Sequence, residues 1–64
     1  DGLNRRKWAT TGAPLVGDPL ALGDVFTAHY WVEGQNVGGE RRWWVAEDGA
    51  RIWTGGTETR PDDL

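Results

Sequence analysis

The chain has 64 residues, with no cysteine, ten glycines and five tryptophans, and its formal net charge is −3 at neutral pH. Such a length makes one domain near the lower limit for independent folding, and without cysteine the sequence provides neither a disulfide nor a thiolate metal site. The acidic balance argues against nucleic acid as the main partner. No apolar run approaches the roughly 18 residues that indicate a membrane-spanning helix, so we expect no membrane insertion.

The N-terminal third is predicted to contain a short strand and a long loop. Residues 1–6 are polar and are expected to form a flexible flank, which starts with aspartate rather than methionine, as in a module cut from a longer protein. A short first strand is expected at 7–10. The stretch 11–24 holds three glycines and two prolines among its leucines. This composition predicts an ordered loop packed down by those leucines rather than a helix.

The longest β-prone segment is 25–32. Alternation gives this strand one face with large apolar side chains, which form the expected core set: Phe26, Tyr30 and Val32. The opposite face leaves His29 and Trp31 as the more exposed side chains. A glycine-rich turn at 34–40 is expected to join this strand to the next one.

The strongest local signal is a β-hairpin centred on Asp48-Gly49, between the β-prone runs 42–46 and 50–54. The dipeptide favours a tight turn because glycine adopts positive φ without steric cost. Three of the five tryptophans lie in these two runs. The length of the hairpin loop therefore decides which of these rings face water.

Two registers are open for this hairpin. A two-residue loop pairs Trp44 with Trp53 and leaves both rings beside Arg51, as an exposed aromatic pair. A three-residue loop with a bulge instead pairs Trp53 with Trp43 and Ile52 with Trp44. Adjacent tryptophans point to opposite faces of a regular strand, so at least one ring is a candidate for a binding surface. The alternative is that all the rings belong to the core, since each aromatic buries ~150–250 Å².

A final edge strand at 57–59 and a tail at 60–64 complete the chain. Several short strands joined by glycine-rich turns indicate an all-β fold, in which 7–59 form a small antiparallel barrel of about five short strands. Closing the barrel would also remove exposed strand edges, which matters for a chain this rich in aromatic residues.

The sequence shows no constellation of catalytic or metal-binding residues. His29 is the only histidine, and nothing lies at ligand spacing from it. Serine is absent, as is cysteine, which removes the common nucleophile–histidine pairs. Three of the four candidate carboxylates lie in or beside turns, where acids are ordinary surface residues. The four candidates are Glu33, Glu40, Glu47 and Asp48. We therefore predict that the protein is not an enzyme and carries no cofactor or metal.

Short motifs along the chain are similar to those of a known family. In order, they are Thr11-Gly12-Ala13-Pro14-Leu15, Gly23-Asp24-Val25, Tyr30-Trp31-Val32-Glu33-Gly34, Trp43-Trp44-Val45, Asp48-Gly49 and Ile52-Trp53. Their order and spacing resemble the bacterial Src-homology-3-like domains, small β-barrels often appended to secreted cell-wall hydrolases and other envelope proteins. The likeness covers residues 8–58. The chain departs from the family at Ile52, where glycine is usual, and in its double tryptophan, where a single one is typical.

The resemblance implies a Src-homology-3-like barrel that serves as a non-catalytic binding or targeting module of a larger bacterial protein, secreted or associated with the cell envelope. Its implied ligand is cell-wall peptide or glycan, or it tethers a neighbouring catalytic domain. Solvent-facing aromatic rings suit the apolar faces of sugars and extended peptides. The candidate ligand-binding side chains are Trp31, Trp44, Trp53, Tyr30, Arg51 and Glu33.

Two other functions stay open. The barrel could be a structural interaction module that packs its tryptophan surface against a neighbouring domain or a second copy of the chain. A reader of methylated side chains, similar to a Tudor domain, would use the same aromatic residues as a cage. The three functions differ in what covers the exposed rings.

Overall fold

The computed structural model describes residues 3–63. Three strands and two single-turn 3-10 helices have these bounds: β1 Ala28–Val37, β2 Glu40–Ala46, β3 Arg51–Trp53, η1 Thr54–Gly56 and η2 Pro61–Asp63. The strands form one antiparallel sheet in the order β1-β2-β3. Within this range, no helix has the length and apolar character needed to cross a membrane. The first two residues of the predicted flank and the last residue of the predicted tail lie outside the described range.

The predicted small all-β domain is confirmed, but the predicted barrel of about five strands is wrong, because the three strands form an open sheet. No strand forms at 57–59 in the described chain, since β3 is followed directly by η1, which contains Gly55-Gly56. A glycine pair has no side chain to pack on a sheet and loses much conformational entropy in a strand. The strand predicted at 7–10 is replaced by isolated backbone pairs.

Residues 3–9, which we call the N-terminal strap, join the two edges of the sheet. At β3, the backbones of Arg6 and Arg51 exchange two N–H···O bonds, of 2.9 and 2.7 Å. At β1, the carbonyl of Ala9 accepts a hydrogen bond from the N–H of Gln35 at 2.9 Å. The strap therefore satisfies backbone groups at both edges without forming a further strand.

β1 is longer at its C-terminal end than the sequence predicts. It continues through the first part of the expected turn to Val37, and the turn itself contracts to Gly38-Gly39, with φ values of 59° and 96°. The N–H of Gly39 donates to the side-chain oxygen of Asn36 at 2.9 Å, which helps to close this turn. At its other end the strand begins at Ala28, later than predicted.

The hairpin between β2 and β3 has a three-residue loop, 47–49, with Gly49 at a φ of 88°. The register pairs follow from that loop: Trp43–Trp53, Trp44–Ile52 and Val45–Arg51. Of the two predicted registers, the bulged one is therefore confirmed and the two-residue loop is wrong. Glycine in the left-handed region is the residue that such a bulge requires.

The core lies on one face of the sheet. Its buried cluster consists of Trp44, Ala46, Ala50 and Ile52, and five partly buried side chains pack against this cluster: Leu3, Val16, Leu20, Phe26 and Ala28. On the opposite face, Trp43 is also buried, with 2% of its surface exposed, and its indole N–H donates to the carbonyl of Gln35 at 3.0 Å. Two consecutive tryptophans are buried because both faces of the sheet are covered at this point.

The strap crosses β1 at Gly34, where an added methyl group would overlap the Cβ and the carbonyl oxygen of Ala9. We expect Gly34→Ala to lower the free energy of unfolding by about 1–3 kcal/mol, the usual cost of overpacking. Gly12→Ala is the matched control, because its added Cβ would meet nothing nearer than 3.7 Å. This control should leave stability unchanged or raise it by less than about 1 kcal/mol. Urea unfolding measures both variants, and equal stabilities would contradict the close approach of strap and strand.

Candidate functional site

Trp31 is the exposed tryptophan of the sheet, with 43% of its surface accessible. It lies on β1 two positions before Glu33, so the two side chains point to the same face of the strand. Of the six predicted ligand-binding residues, these are the two that line one pocket together.

A shallow pocket of about 430 Å³ lies beside Trp31, close to the turn between β1 and β2. We call it the Trp31 pocket, and its lining comes from both strands and the turn: Trp31, Glu33, Asn36, Gly39, Glu40, Arg41 and Arg42. Two acidic and two basic side chains are among these residues. The formal charge of the lining is therefore zero.

Arg42 is the centre of a charge network behind the Trp31 ring. Its Nε and Nη2 donate to the two carboxylate oxygens of Glu40 at 2.9 and 2.7 Å, and its Nη1 donates to Asp62 at 2.6 Å. The Cζ atom of Arg42 lies 5.9 Å from the centre of the Trp31 ring, within cation–π distance. The Arg42 side chain is only 22% exposed and that of Glu40 only 13%. The ring therefore has a fixed cation beside it.

The network shifts the pKa values of its own members. The side-chain and then the backbone hydrogen bonds from Arg42 lower the pKa of Glu40 from 4.5 to about 2. Hydrogen bonding to the same guanidinium lowers the pKa of Asp62. Hydrogen bonds to Glu40 and then to Asp62 raise the pKa of Arg42. All three groups are therefore ionised at neutral pH.

A second ion pair forms the outer rim of the Trp31 pocket. The Nε atom of Arg41 lies 2.9 Å from Oε2 of Glu33, and the two side chains are 65% and 59% exposed. An exposed pair of this kind contributes only about 0–1 kcal/mol to stability. The pair presents a planar hydrogen-bond donor, the guanidinium, and a planar acceptor, the carboxylate, to the solvent beside an aromatic ring.

Trp44 does not face water, so the predicted exposed pair of Trp44 and Trp53 is wrong. Trp44 is 7% exposed, and its indole N–H donates to the hydroxyl of Thr57 at 3.1 Å. Trp53 is half-buried on the other face of the sheet, and its indole N–H donates to the carbonyl of Glu40 at 3.0 Å. The cause is the three-residue loop, which sets Ile52 rather than Trp53 opposite Trp44.

Tyr30 and Arg51 lie on the face opposite to Trp31. Tyr30 is 56% exposed, so its predicted place in the core is wrong; it stands next to a register shift near the start of β1, where the sheet is less covered. The guanidinium of Arg51 donates to the carbonyls of Gly49 at 2.8 Å and of Lys7 at 3.3 Å. Arg51 therefore braces the hairpin loop against the N-terminal strap.

Several charged residues at the Trp31 pocket were not predicted as ligand-binding residues: Glu40, Arg41, Arg42 and Asp62. One indication was available in the run Glu40-Arg41-Arg42. Residues two positions apart lie on the same face of a strand, so Glu40 and Arg42 are neighbours of opposite charge. Glu33 and Arg42 are register partners across β1 and β2, but Glu33 forms its ion pair with the neighbouring Arg41. No local pattern indicates Asp62, which reaches Arg42 from η2.

An apolar groove of about 500 Å³ is the second surface feature of the molecule. We call it the Leu22 groove, and its lining is Leu3, Leu20, Ala21, Leu22, Gly23, Asp24, Val25, Phe26, Trp44, Gly56, Thr57, Glu58 and Thr59. The loop 11–24 was predicted to be packed down by its leucines. Leu20 does pack against the core, whereas Leu22 is 100% exposed and Val25 is 92% exposed.

Within residues 3–63, no three histidine, aspartate or glutamate side chains come together as a metal site. His29 lies exposed on β1. The chemistry offered by the Trp31 pocket and the Leu22 groove is therefore contact with rings, apolar groups and charges.

Comparison with known proteins assigns no family to this chain. No protein-family model matches it, and no curated protein or solved structure matches it either. The chemistry of the Trp31 pocket and the Leu22 groove is therefore the basis for a functional proposal.

The lowered pKa of Glu40 makes a specific prediction for stability in acid. Because the pKa of Glu40 falls from 4.5 to about 2 on folding, its ionised carboxylate stabilises the folded state. This stabilisation is fully present above the pKa of the unfolded chain and is lost as the pH falls through the pKa of the folded protein. We expect Glu40→Gln to be less stable than the wild type at neutral pH and to lose less stability between these two pH values.

Urea unfolding measured across this pH range tests the prediction. Glu47→Gln is the matched control, because it removes an exposed acid from the hairpin loop and leaves the Arg42 network intact. It should keep the wild-type decline in acid. A Glu40→Gln profile parallel to that of the wild type would show that the network does not hold in solution.

Proposed function

We propose that the protein is a non-catalytic binding module of a larger bacterial protein, and that it holds cell-wall glycan or peptide on the ring of Trp31. The observation that carries the proposal is an indole, 43% exposed, that stands in a concave and mostly polar pocket. A ring with polar neighbours suits ligands that combine an apolar face with several hydrogen-bonding groups. Sugar rings and extended peptides are both of this kind.

The position of the Trp31 ring supports the proposal because the ring is preorganised. Four hydrogen bonds from Arg42 to Glu40 and Asp62 hold the guanidinium that packs beside it. Immobilising a flexible side chain on binding costs about 0.5–1.5 kcal/mol. A ligand that stacks on Trp31 avoids part of this cost, since the side chains beneath it are already ordered.

The charge balance of the pocket favours the glycan over the peptide. Its lining carries two acids and two bases, so it offers no net charge to a charged ligand. Glu33 and Arg41 at the rim are planar groups with several acceptor and donor positions, which suit neighbouring hydroxyl groups on a sugar ring. An uncharged sugar therefore matches the pocket better than a charged peptide end does.

The motif order that resembles the bacterial Src-homology-3-like domains supports placing the module in a secreted or envelope-associated protein. This support comes from the sequence motifs alone, because the sheet is open and the strap covers its edges in place of further barrel strands. Membership of that family and the location that it implies are both parts of the proposal.

A structural interaction module is the second candidate function, and the Leu22 groove favours it. Leu22 and Val25 expose almost all of their apolar surface beside the same groove. Contiguous exposed apolar surface often marks a site where proteins meet. The groove and the Trp31 pocket share no lining residue, so the two functions are compatible.

Trp31→Ala should weaken the binding of purified peptidoglycan glycan strands at least about tenfold, a loss of about 1.4 kcal/mol, because the stacking ring is removed. Trp8→Ala is the matched control, since Trp8 is 54% exposed and lies outside the pocket. The measurement is an NMR titration that follows the indole N–H signals. In the wild type, the Trp31 signal should shift and the Trp8 signal should not.

Stem peptides free of sugar form a second arm of the same titration. If they shift the Trp31 signal more strongly than glycan strands do, the ligand is the peptide and the preference for glycan is wrong. Tryptophan signals that stay unmoved by both ligands at millimolar concentration would contradict wall binding altogether.

A further inference from the structure

We propose that the Leu22 groove binds an extended peptide segment of a partner protein, one with large apolar side chains flanked by lysine or arginine. This inference names the partner class for the second candidate function. It does not depend on the Trp31 pocket. Four observations support it, and they concern the walls, the floor, the charge and the backbone of the groove.

The walls of the groove expose apolar side chains that nothing in the described chain covers. Leu22 is 100% exposed and Val25 is 92% exposed. Leu15, at 55%, is also exposed but lies outside the groove, so it is an isolated surface leucine. A single exposed leucine is ordinary, whereas neighbouring apolar side chains around a concave surface indicate a place where another molecule packs.

The floor of the groove is continuous with the hydrophobic core. Trp44 is part of the core cluster, and Leu3, Leu20 and Phe26 pack against that cluster. The Trp44 ring is further fixed by its hydrogen bond to Thr57, which also lines the groove. An apolar side chain that enters the groove therefore meets an ordered surface, which reduces the entropy lost on binding.

The charge of the groove has one sign. Its lining contains Asp24 and Glu58, and no lysine, arginine or histidine is among the described lining residues. Charged groups at the rim of an interface favour partners of opposite sign and repel those of the same sign. Basic residues on either side of the apolar anchors are therefore the complementary pattern. A second copy of this chain is a poorer match, because each copy carries a net charge of −3.

The backbone at the groove is available for pairing. Val25 and Phe26 belong to no strand of the described chain and make no backbone hydrogen bond within it. Peptides that bind in an extended conformation commonly pair their main chain with such groups while alternate side chains enter pockets. These free groups favour an extended peptide over a compact small molecule.

The test compares two labelled synthetic peptides that share a Leu-Thr-Phe centre. One has lysine on both sides of the centre, and the other has glutamate in its place. In fluorescence-anisotropy titrations, the lysine peptide should bind at least tenfold more tightly at low salt. The difference should shrink at high salt, because exposed charges are screened. Equal affinity of the two peptides, or no binding of the lysine peptide at millimolar concentration, would overturn the proposal.

Variants locate the binding site. Leu22→Asp should bind the lysine peptide at least tenfold more weakly and should fold normally, since Leu22 is fully exposed. Leu15→Asp is the matched control and should bind as the wild type does. Glu58→Gln removes one rim carboxylate and should weaken binding severalfold, with a smaller dependence on salt. Unchanged binding by Leu22→Asp would overturn the proposal.

Two further measurements separate this proposal from its competitors. Sedimentation that depends on concentration in the wild type but not in Leu22→Asp would assign the groove to a second copy of the chain and overturn the peptide proposal. Trp31→Ala should bind the lysine peptide with the wild-type affinity. If the wild type binds the lysine peptide but no wall fragment, only the function proposed for the Trp31 pocket is contradicted. If the wild type binds wall fragments but not the lysine peptide, only the groove proposal is contradicted.

Discussion

The register of the β2–β3 hairpin fixes the role of each large side chain in the sheet. A three-residue loop with Gly49 in the left-handed region sets Ile52 opposite Trp44 and Trp53 opposite Trp43. A slip of one residue would send every side chain of one strand to the other face. Ile52, which is completely buried, would then leave the core. The composition of the core therefore depends on this register, and Gly49 supplies the positive φ that the three-residue loop requires.

Trp31 and Trp44 show how position within the same sheet separates an exposed ring from a packed one. They are cross-strand partners on β1 and β2, yet Trp31 is 43% exposed and Trp44 is only 7% exposed. Trp44 lies on the central strand and is covered by apolar residues of the strap and the long loop. Trp31 lies on an edge strand, where Arg42 and its two carboxylates take the place of an apolar cover. An ionic network thus orients an aromatic ring without burying it.

The local parts of this structure could be predicted from the sequence, and the parts that depend on distant segments could not. The Asp-Gly pair predicts a hairpin, but two- and three-residue loops both use a glycine with positive φ, so the turn alone does not select the register. Alternation along the first long strand correctly predicts an exposed Trp31, but it wrongly assigns Tyr30 to the core, since Tyr30 is 56% exposed and Trp31 43%. The contact between Arg42 and Asp62 joins η2 to the sheet across 20 positions, and no local pattern predicts it. The barrel was predicted from the number of β-prone runs, which does not tell which runs pair. Here the last strand ends at Trp53, and η1 follows it.

The pairing of the N-terminal strap with β3 can form only after both segments have been synthesised. Arg6 precedes its partner Arg51 by 45 positions (51 − 6), so it is synthesised well before it. Until β3 has left the ribosome, the strap can pair with β1 alone, and the core against which Leu3 packs is incomplete. Contacts between such distant parts of a chain form slowly, and an unpaired strand edge can meanwhile pair with another chain. The nascent chain, rather than the folded protein, is therefore the form most exposed to aggregation.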